Sequence, residues 1–562
     1  MTQPSRTGGQ ILVDALKIHG VDTAFGVPGE SYLDVLDALH DSDIRFIINR
    51  QEGGAAFMAD AYGKMTGKPG ICFVTRGPGA TNASIGVHTA FQDSTPMILF
   101  IGQVGNDFTD REAFQEIDYR RMYGQMAKWV AQIDSVDRIP EYIARAFQTA
   151  TSGRQGPVVL ALPEDMLTRT TSAPLLAPYR RNLAWPDPSR MQEMADELRK
   201  AERPLMLVGG GGWTAEACGQ LEAFAKAWNL PTACAFRFQD VFDNSHPNYV
   251  GEVGSTLGAS LKQRFLDADL VLAVGVRLGE GTTRGYTLLT PPRPAQRLVH
   301  VHAGAEELGS VYQADVMVQA SLPGFTSCLA ALTPPDRCVW ERWMADGSRE
   351  YAKHFQGSAV EGPVHMGTII KTLQTLVPED TIYASGAGNF AGWSTRFLRY
   401  RGQSAGARVQ LAPSSGAMGY GVPAAVAAKI VEPGRTVVCF SGDGDFQMNM
   451  QEIGTAVQYG APVVFIVINN GIYGTIRMHQ EMYFPERTAG TDLVNPDFAA
   501  LVRAYGMQGF TVKETAEFEP AMRQALACKT SSLIEIQLDP NVISTTTTLA
   551  AVRAKALAAA AA

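Results

Sequence analysis

The sequence predicts an α/β protein of three domains, each built on a doubly wound parallel sheet. The chain has 562 residues, which is too many for one hydrophobic core, because single cores stop growing beyond about 250–300 residues. Short apolar runs rich in β-branched residues alternate with longer helical segments, a pattern that is typical of parallel βαβ units. No apolar run reaches the roughly 20 residues that a transmembrane helix needs.

We predict the first domain over residues 1–167. Strands are predicted over 44–48, 71–74, 97–101 and 156–163, with helices over 54–66 and 80–92. Residues 1–9 are polar, and we expect them to fray. Residues 168–189 are rich in Pro, Ser, Thr and Arg and lack periodicity, so they are predicted to be a linker.

The second and third domains repeat this alternation. The second is predicted over residues 190–335, with strands over 204–208, 270–276 and 298–301. A less regular stretch, 333–362, separates it from the third domain, predicted over 360–540. Strands of that domain are predicted over 381–385, 436–440 and 463–468. Residues 541–562 are expected to form a tail.

Composition and charge exclude several classes of function. The formal net charge is −8, which offers no basic surface for nucleic acid and no polybasic anchor for a membrane. No charged-then-apolar leader is present at the N-terminus. The seven cysteines are scattered and lack a CxxC spacing, which favours reduced thiols over disulfides or zinc. We therefore expect a cytoplasmic protein that binds neither nucleic acid nor a membrane.

Two turns in the last third of the chain carry the strongest chemical signal. Gly442-Asp443-Gly444 follows one predicted strand, and Asn469-Asn470 follows the next. Because parallel strands end at the same edge of a sheet, we expect the two turns to lie together. They offer a carboxylate, an amide oxygen and a backbone carbonyl, which are hard oxygen ligands suited to Mg²⁺ bound to a diphosphate.

Two further stretches in the first domain carry candidate residues. Glu52 lies between a predicted strand and a helix. It is either a helix N-terminal acid favoured by the helix dipole or a carboxyl group that exchanges a proton with a cofactor. The glycine-rich turn Gly77-Pro78-Gly79 either lets a ligand approach the backbone closely or makes a tight connection.

Taken together, these stretches resemble those of thiamine diphosphate (ThDP)-dependent enzymes of the acetolactate-synthase-like group. The resemblance runs from about Gln10 to Leu538 and includes Glu52 with its helix and both proposed metal-binding turns. The other matching stretches are Ala24-Phe25-Gly26-Val27-Pro28-Gly29, Gly77-Pro78-Gly79-Ala80-Thr81-Asn82, Ala113-Phe114-Gln115-Glu116 and Met418-Gly419-Tyr420-Gly421-Val422-Pro423-Ala424-Ala425.

The resemblance implies the identity of the three domains and an oligomer. It implies a pyrimidine-binding domain, a middle domain without the catalytic machinery and a diphosphate-binding domain. The family binds its cofactor at a subunit interface. Glu52 of one chain would then meet Asp443 and Asn470 of its partner, so we expect a homodimer or a homotetramer.

The resemblance also assigns roles to individual residues. Asp443, Asn470 and the carbonyl group of Ile472 are the implied metal ligands. The implied catalytic residues are Glu52, Gly416, Met418, His479 and Gln115. The implied cofactor-binding residues are Pro28, Gly29, Glu52, Asn82, Gly386, Ala387, Gly388, Asn389, Phe390, Gly416, Met418, Gly442, Asp443, Gly444, Asp445, Asn470, Ile472, Tyr473 and Gly474.

Substrate residues follow from the same comparison. Phe114, Gln115, Lys128, Arg277 and His479 match positions at which acetolactate synthases meet their substrates. His479 stands where synthases that favour 2-oxobutyrate carry a tryptophan, so that preference is not implied here. After Arg277 the chain reads Leu278-Gly279-Glu280 instead of the acidic pair that accompanies flavin, so FAD is not favoured.

The resulting hypothesis is decarboxylation of a small, pyruvate-like 2-oxo acid, followed by carboligation to a second carbonyl compound. One alternative is a ThDP-dependent carbon–carbon lyase similar to benzaldehyde lyase or 2-hydroxyacyl-CoA lyase, with a 2-hydroxy ketone or thioester as substrate. The second alternative is a ThDP-binding protein without catalysis. Both enzymatic readings share every cofactor residue and differ only in the substrate pocket.

Overall fold

The computed structural model describes residues 5–356, 360, 362–406 and 408–561. The predicted α/β class is confirmed, because three six-stranded parallel sheets are flanked by helices. Their central strands are buried on both faces, as parallel sheets require. Residues 1–4, which we expected to fray, lie outside the described residues.

The first sheet occupies the N-terminal part of the chain. Its six strands, all parallel, are arranged in the order β3-β2-β4-β5-β7-β6, and β1 pairs with β8 in a separate ribbon. The strands are β1 (Arg6–Thr7), β2 (Thr23–Gly26), β3 (Arg45–Ile48), β4 (Gly70–Val74), β5 (Met97–Gln103), β6 (Trp129–Gln132), β7 (Pro157–Pro163) and β8 (Thr170–Thr171). The α-helices are Gly8–Ile18, Leu33–His40, Glu52–Thr66, Pro78–Asp93, Tyr119–Tyr123, Ile139–Thr151 and Glu164–Thr168.

The expectation of a frayed N-terminus is wrong for residues 6–9. Arg6–Thr7 pairs with Thr170–Thr171, and a helix begins at Gly8. Thr7 caps this helix in a capping box with Gln10. A Cβ atom at Gly9 would lie 2.1 Å from the carbonyl oxygen of Asp34. Gly9 therefore lets its helix pack closely on the backbone at Asp34, which the polar composition of residues 1–9 does not reveal.

The second sheet forms the middle domain. Its order is β11-β10-β9-β12-β13-β14. The strands are β9 (Pro204–Val208), β10 (Thr232–Ala235), β11 (Tyr249–Val253), β12 (Leu270–Val274), β13 (Arg297–His302) and β14 (Val316–Gln319). The α-helices are Pro188–Lys200, Ala215–Ala227, Ala259–Asp267, Glu280–Thr283, Leu322–Leu329 and Glu341–Gln356.

The stretch that was predicted to be irregular, 333–362, contains the 16-residue helix Glu341–Gln356. Many of its residues are charged, so its apolar periodicity is sparse in the sequence. It is held by a few specific contacts instead. Trp343 donates a hydrogen bond to the carbonyl group of Pro204 at 2.9 Å, and the guanidinium group of Arg264 lies 4.1 Å from its ring centroid.

The third sheet has the order β16-β15-β17-β18-β20-β19. The strands are β15 (Ile382–Ser385), β16 (Gln410–Leu411), β17 (Val437–Gly442), β18 (Val464–Asn469), β19 (Gln508–Val512) and β20 (Ser532–Gln537). The α-helices are Met366–Leu376, Ala391–Phe397, Gly421–Val431, Asp443–Asn449, Ile453–Gln458, Gly474–Tyr483, Phe498–Ala504, Phe518–Ala527 and Leu549–Ala561. The last of these lies in the segment expected to be a tail, and its Arg553 pairs with the buried Glu481.

The chain divides into two compact units. The first contains the N-terminal sheet together with residues 426–433 and 449–460, and the second contains the middle and third sheets. Among the described helices, we find none that is long and apolar enough to cross a membrane.

Candidate active site

A cavity of about 430 Å³ lies in the second unit at the carboxyl ends of strands β15, β17 and β18. The sheet order places a topological switch point between β15 and β17, which is where open α/β sheets bind ligands. These predicted cofactor-binding residues line the cavity: Ala387, Gly388, Asn389, Phe390, Gly416, Met418, Gly442, Asp443, Gly444, Asp445, Asn470, Ile472, Tyr473 and Gly474.

Asp443 stands where β17 ends and the helix Asp443–Asn449 begins. Its Oδ1 accepts a hydrogen bond from the backbone N–H of Gly444 at 3.0 Å. Its Oδ2 accepts bonds from the N–H of Gly471 at 2.8 Å and from Nδ2 of Asn495 at 2.6 Å. Burial raises the pKa of Asp443, and these hydrogen bonds oppose that rise. The carboxyl group is therefore fixed in orientation at the cavity wall.

The two asparagines after β18 have different structural roles. Asn469 is anchored, because its Nδ2 donates to Glu535 at 2.7 Å and its Oδ1 accepts from Asn495 at 2.9 Å. Asn470 lines the cavity, and its Oδ1 accepts a bond from the N–H of Ile472 at 3.3 Å. The Asn-Asn pair thus combines a structural residue with one that faces the cavity.

The turn after Asn470 packs closely on the glycine-rich turn after β17. The N–H of Tyr473 donates to the carbonyl group of Thr491 at 2.8 Å. A Cβ atom at Gly444 would lie 2.6 Å from Cε1 of the Tyr473 ring. The second glycine of Gly442-Asp443-Gly444 is therefore required by this ring contact.

Asp445 ties together two loops of the cavity. Its Oδ1 accepts hydrogen bonds from the N–H of Gly419 at 2.8 Å and from that of Ala387 at 3.1 Å. Burial raises its pKa to about 6. A Cβ atom at Gly386 would lie 2.0 Å from Asp445 Oδ1. Gly386 thus supports the wall, and it is not among the residues that line the cavity.

Met418 occupies the loop between two glycines with positive φ, Gly416 at 70° and Gly419 at 80°. Its half-buried side chain lines the cavity. Apolar side chains of Trp393, Ile468 and other residues also line it, and Asp443 and Asn470 contribute polar groups. This division suits a molecule with one charged part and one flat apolar part, as ThDP has.

The donor set also fits Mg²⁺ that is shared with a bound diphosphate. Across the described parts of the chain, no group of three or more His, Cys, Asp or Glu side chains could hold a metal ion. Asp443, Asn470 and the carbonyl group of Ile472, the predicted ligands, would provide three hard oxygen donors. An octahedral Mg²⁺ therefore needs its remaining ligands from phosphate oxygens and water, which is its usual arrangement in phosphate sites.

The first unit carries the other predicted set at the carboxyl ends of the neighbouring strands β3, β2 and β4. Glu52 begins the helix Glu52–Thr66, and its Oε2 accepts a hydrogen bond from Nδ2 of Asn82 at 2.9 Å. Pro28 and Asn82 are exposed. A Cβ atom at Gly29 would lie 2.5 Å from Cβ of Thr75, so this turn packs tightly.

Glu452, which the sequence analysis missed, holds the turn that precedes Glu52. Its side chain is fully buried within the first unit. Its Oε1 accepts hydrogen bonds from the N–H groups of Arg50 and Gln51 at 3.0 and 3.1 Å, and its Oε2 accepts from Asn49 at 3.1 Å. This carboxyl group therefore sets the position from which Glu52 begins its helix.

The predicted substrate residues of the first unit have different surroundings. Gln115 has a φ of 65° and packs behind the glycine-rich turn, because a Cβ atom at Gly77 would lie 2.7 Å from its own Cβ. Phe114 is 74% exposed. Nζ of Lys128 donates to the carbonyl groups of Thr149 and Ser152, both at 2.6 Å, so its ammonium group stabilises a helix end.

In the second unit, Arg277 and His479 lie outside the lining of the 430 Å³ cavity as it is described. Nε of Arg277 lies 3.1 Å from Oε1 of Glu307. The ring of His479 stacks on that of Tyr483, one turn further along the helix, with centroids 6.2 Å apart. Their roles toward a substrate stay predictions.

The middle domain contributes to the cavity wall through Phe236, Arg237 and Ser255. Arg237 is buried and has a φ of 68°, and its Nη2 donates to the carbonyl group of Gly386 at 3.3 Å. The sequence analysis singled out none of these residues. The middle domain, which was expected to lack the catalytic machinery, therefore still contributes residues to the cavity wall.

Comparisons with known proteins agree with this geometry. Three family profiles match the chain: the N-terminal TPP binding domain of thiamine pyrophosphate enzymes over residues 6–122, their central domain over 191–331 and their C-terminal TPP binding domain over 386–536.

Full-length relatives are similar over nearly the whole chain. The acetolactate synthase isozyme 2 large subunit of Escherichia coli K12 is 31% identical, over 95% of both chains. The mitochondrial acetolactate synthase catalytic subunit of Saccharomyces cerevisiae is 30% identical, over 95% of this chain and 81% of its own. The acetolactate synthase of Mycobacterium bovis is 31% identical, over 93% and 86%.

Proposed function

This chain belongs to the thiamine pyrophosphate enzyme family that includes the acetolactate synthase large subunits, and from that premise we propose its reaction. The protein uses ThDP and Mg²⁺ to decarboxylate a small 2-oxo acid such as pyruvate, and it joins the resulting acyl unit to a second carbonyl compound. The observation that carries this proposal is the 430 Å³ cavity, where Asp443, Asn470 and Met418 line one space.

Different residues of the cavity would bind different parts of the cofactor. Asp443, Asn470 and the carbonyl group of Ile472 would hold Mg²⁺, and the loop that Asp445 fixes would support the diphosphate. Met418 would contact the rings. Bound ThDP supplies a carbon nucleophile and an electron sink for the carbon that loses its carboxylate.

Glu52 is the proton-exchanging group. It is half-buried, and Asn82 occupies its Oε2 and leaves Oε1 near Gly79, where a Cβ atom would lie 3.4 Å from it. A carboxyl group held in this way can bind the ring nitrogen of an aminopyrimidine and pass a proton to it.

The complete site forms between two copies of the chain, in a homodimer or homotetramer. Glu52 belongs to the first unit and Asp443 to the second. Large apolar side chains near the cavity support this proposal, because Ile476 lines it and is 53% exposed, and Tyr483 is 67% exposed. Exposed apolar side chains of this size mark interaction surfaces. All seven cysteines are free thiols, which suits a cytoplasmic location.

Proton NMR of the purified protein with ThDP, Mg²⁺ and pyruvate tests the proposed reaction. We expect acetolactate to appear as pyruvate is consumed, and we expect no product from the Asp443→Ala variant. Acetaldehyde as the only product would mean that the protein is a decarboxylase and not a carboligase. Untouched pyruvate together with cleavage of a 2-hydroxy ketone would favour the lyase.

A further inference from the structure

The second unit contains another, smaller cavity of about 60 Å³. It lies beside β11 and is bounded by the helices Ala259–Asp267 and Glu341–Gln356, with Thr395 and Arg396 from the third domain. One water molecule needs a cavity of roughly 10–15 Å³, so several fit here. The walls are polar enough to hold them.

Two buried polar groups in this cavity need such partners. Glu252 is 7% exposed and Arg264 is 4% exposed. Oε2 of Glu252 lies 3.2 Å from the hydroxyl group of Thr256, which donates to it. Within the described part of the chain, Glu252 Oε1 and Arg264 Nε have no hydrogen-bond partner. Because an unpaired buried polar atom is costly, ordered water in the cavity is the expected partner of both.

One end of the small cavity reaches solvent. Its lining includes the exposed residues Ala259 and Ser260. It also includes Glu350, whose side chain is 38% exposed and pairs with Arg264 at 2.9 Å. Water in the cavity can therefore exchange protons with the outside.

The other end lies against the cofactor cavity. A Cβ atom at Gly254 would lie 2.1 Å from Glu252 Oε1 and 2.6 Å from Cδ2 of Phe236. Phe236 and Ser255 line the 430 Å³ cavity, and Thr256, the next residue, lines the small one. The carboxyl group of Glu252 thus stands in the wall between the two cavities.

The proposed reaction needs a proton in the cofactor cavity. Two 2-oxo acid anions carry two negative charges, whereas the neutral CO₂ that leaves and the single 2-hydroxy acid anion that forms carry only one between them. One proton must therefore be taken up in each turnover, and it becomes the hydroxyl hydrogen of the product. This requirement rests on the proposed function.

We propose that Glu252 is the residue through which this proton enters the cofactor cavity. The O–H bond of its carboxyl group breaks, and the proton passes by way of the Thr256 and Ser255 hydroxyl groups and water to the oxygen that becomes the product hydroxyl. The carboxylate then regains a proton from the water of the small cavity. Glu252 acts through these groups and does not touch the substrate itself.

The electrostatic surroundings support this role. Burial raises the pKa of Glu252 to about 7, and the hydrogen bond from Thr256 and the charges of Arg237 and Arg284 oppose that rise. Burial and the charge of Arg396 lower the pKa of His354, which favours the uncharged form of this neighbour. The other charged or titratable groups that line the small cavity are Tyr249, Arg264, Glu350, Tyr351 and Arg396.

The test compares Glu252→Gln with Glu222→Gln in the intact enzyme. Glutamine keeps the shape of Glu252 and its bond to Thr256 but carries no acidic proton. Glu222 is a matched control, because burial also raises its pKa and it lines neither cavity as described. We expect Glu252→Gln to lower kcat by about 10- to 100-fold, the scale of lost acid catalysis. ThDP affinity should stay within about two-fold, because Glu252 is not among the residues that line the cofactor cavity.

The pH profile separates this role from a structural one. Wild type and Glu222→Gln should lose kcat as the pH rises through about 7, and Glu252→Gln should lack that limb. A uniform loss at every pH, or an unchanged profile, would overturn the proposal. Infrared spectra of the cofactor-free protein give a second readout. In the difference spectrum of wild type minus Glu252→Gln, which cancels the other carboxyl groups, a carboxylic acid C=O band should be present at low pH and vanish as the pH passes 7.

Product analysis by proton NMR distinguishes this inference from the function beneath it. Wild type should form one acetolactate per CO₂ released, and acetaldehyde as the only product would overturn the carboligation itself. Acetolactate from wild type, with an unchanged rate and pH profile in Glu252→Gln, would overturn only the route through Glu252.

Discussion

Asn495 offers the sharpest test of how the carboxylate of Asp443, a proposed Mg²⁺ ligand, is held. Its amide nitrogen donates to Asp443 Oδ2 at 2.6 Å and to Asn469 Oδ1 at 2.9 Å. Asn495→Ala removes both bonds and leaves the carboxyl group of Asp443 held only by the N–H groups of Gly444 and Gly471. A hydrogen bond to a charged group contributes roughly 1.5–3 kcal/mol. At about 1.4 kcal/mol per factor of ten, Mg²⁺-dependent ThDP binding should weaken about 10- to 100-fold.

Titration calorimetry of ThDP at fixed Mg²⁺ measures this loss. Asn248→Ala is the control, because it also truncates an amide in the second unit, one that donates to the carbonyl groups of Ala225 and Leu230 and is not among the residues that line the cavity. We expect its ThDP affinity to equal that of wild type. An Asn495→Ala protein with wild-type affinity and wild-type Mg²⁺ dependence would refute the reasoning that Asp443 must be held in one orientation.

Four further predictions follow from the described contacts. Glu52→Gln should keep ThDP affinity within a few-fold and lower turnover by about 10²-fold or more, the scale of lost acid–base catalysis; unchanged turnover would remove Glu52 from the mechanism. Asp443→Ala should abolish Mg²⁺-dependent cofactor retention in calorimetry, and a variant that still saturates with ThDP would contradict the metal assignment. Glu452→Ala should destabilise the first unit by roughly 2–4 kcal/mol in thermal unfolding, because it leaves the N–H groups of Arg50 and Gln51 without their acceptor. An unchanged melting curve would count against that role. Burial raises the pKa of Glu252 from its usual value of 4.5 to about 7, so its stabilising effect is present below pH 4.5 and is lost as the pH rises through 7. Urea unfolding should therefore show wild type losing roughly 3 kcal/mol relative to Glu252→Gln between pH 4.5 and 8, at about 1.4 kcal/mol per unit, and parallel stability curves would contradict it.

The sequence revealed those parts of the site that are local. Gly442-Asp443-Gly444 and Asn469-Asn470 are each contiguous, and the strands before them are apolar and short. Parallel pairing of β17 with β18 then brings the two turns to one edge. The cavity could be foreseen because strand direction alone places its two main turns together.

What the sequence did not reveal depends on distant contacts. Asn495 is hydrogen-bonded to Asp443, which lies 52 positions earlier in the sequence. Glu452 is hydrogen-bonded to Asn49, which lies 403 positions earlier. Neither residue stands in a recognisable local pattern, because its partner is fixed only by the fold. Arg237 is similar, since a buried arginine in the middle domain becomes part of the cavity only through domain packing.

The central claim is that Glu52 of one chain and Asp443 of another complete one ThDP site. Co-expression of Glu52→Gln and Asp443→Ala chains with different tags, followed by purification on both tags, yields mixed dimers. One of the two sites in each mixed dimer then keeps both residues, so the account predicts about half of wild-type turnover per dimer, although each variant alone is inactive. Mixed dimers without activity, formed from variants that fold and bind each other, would contradict it.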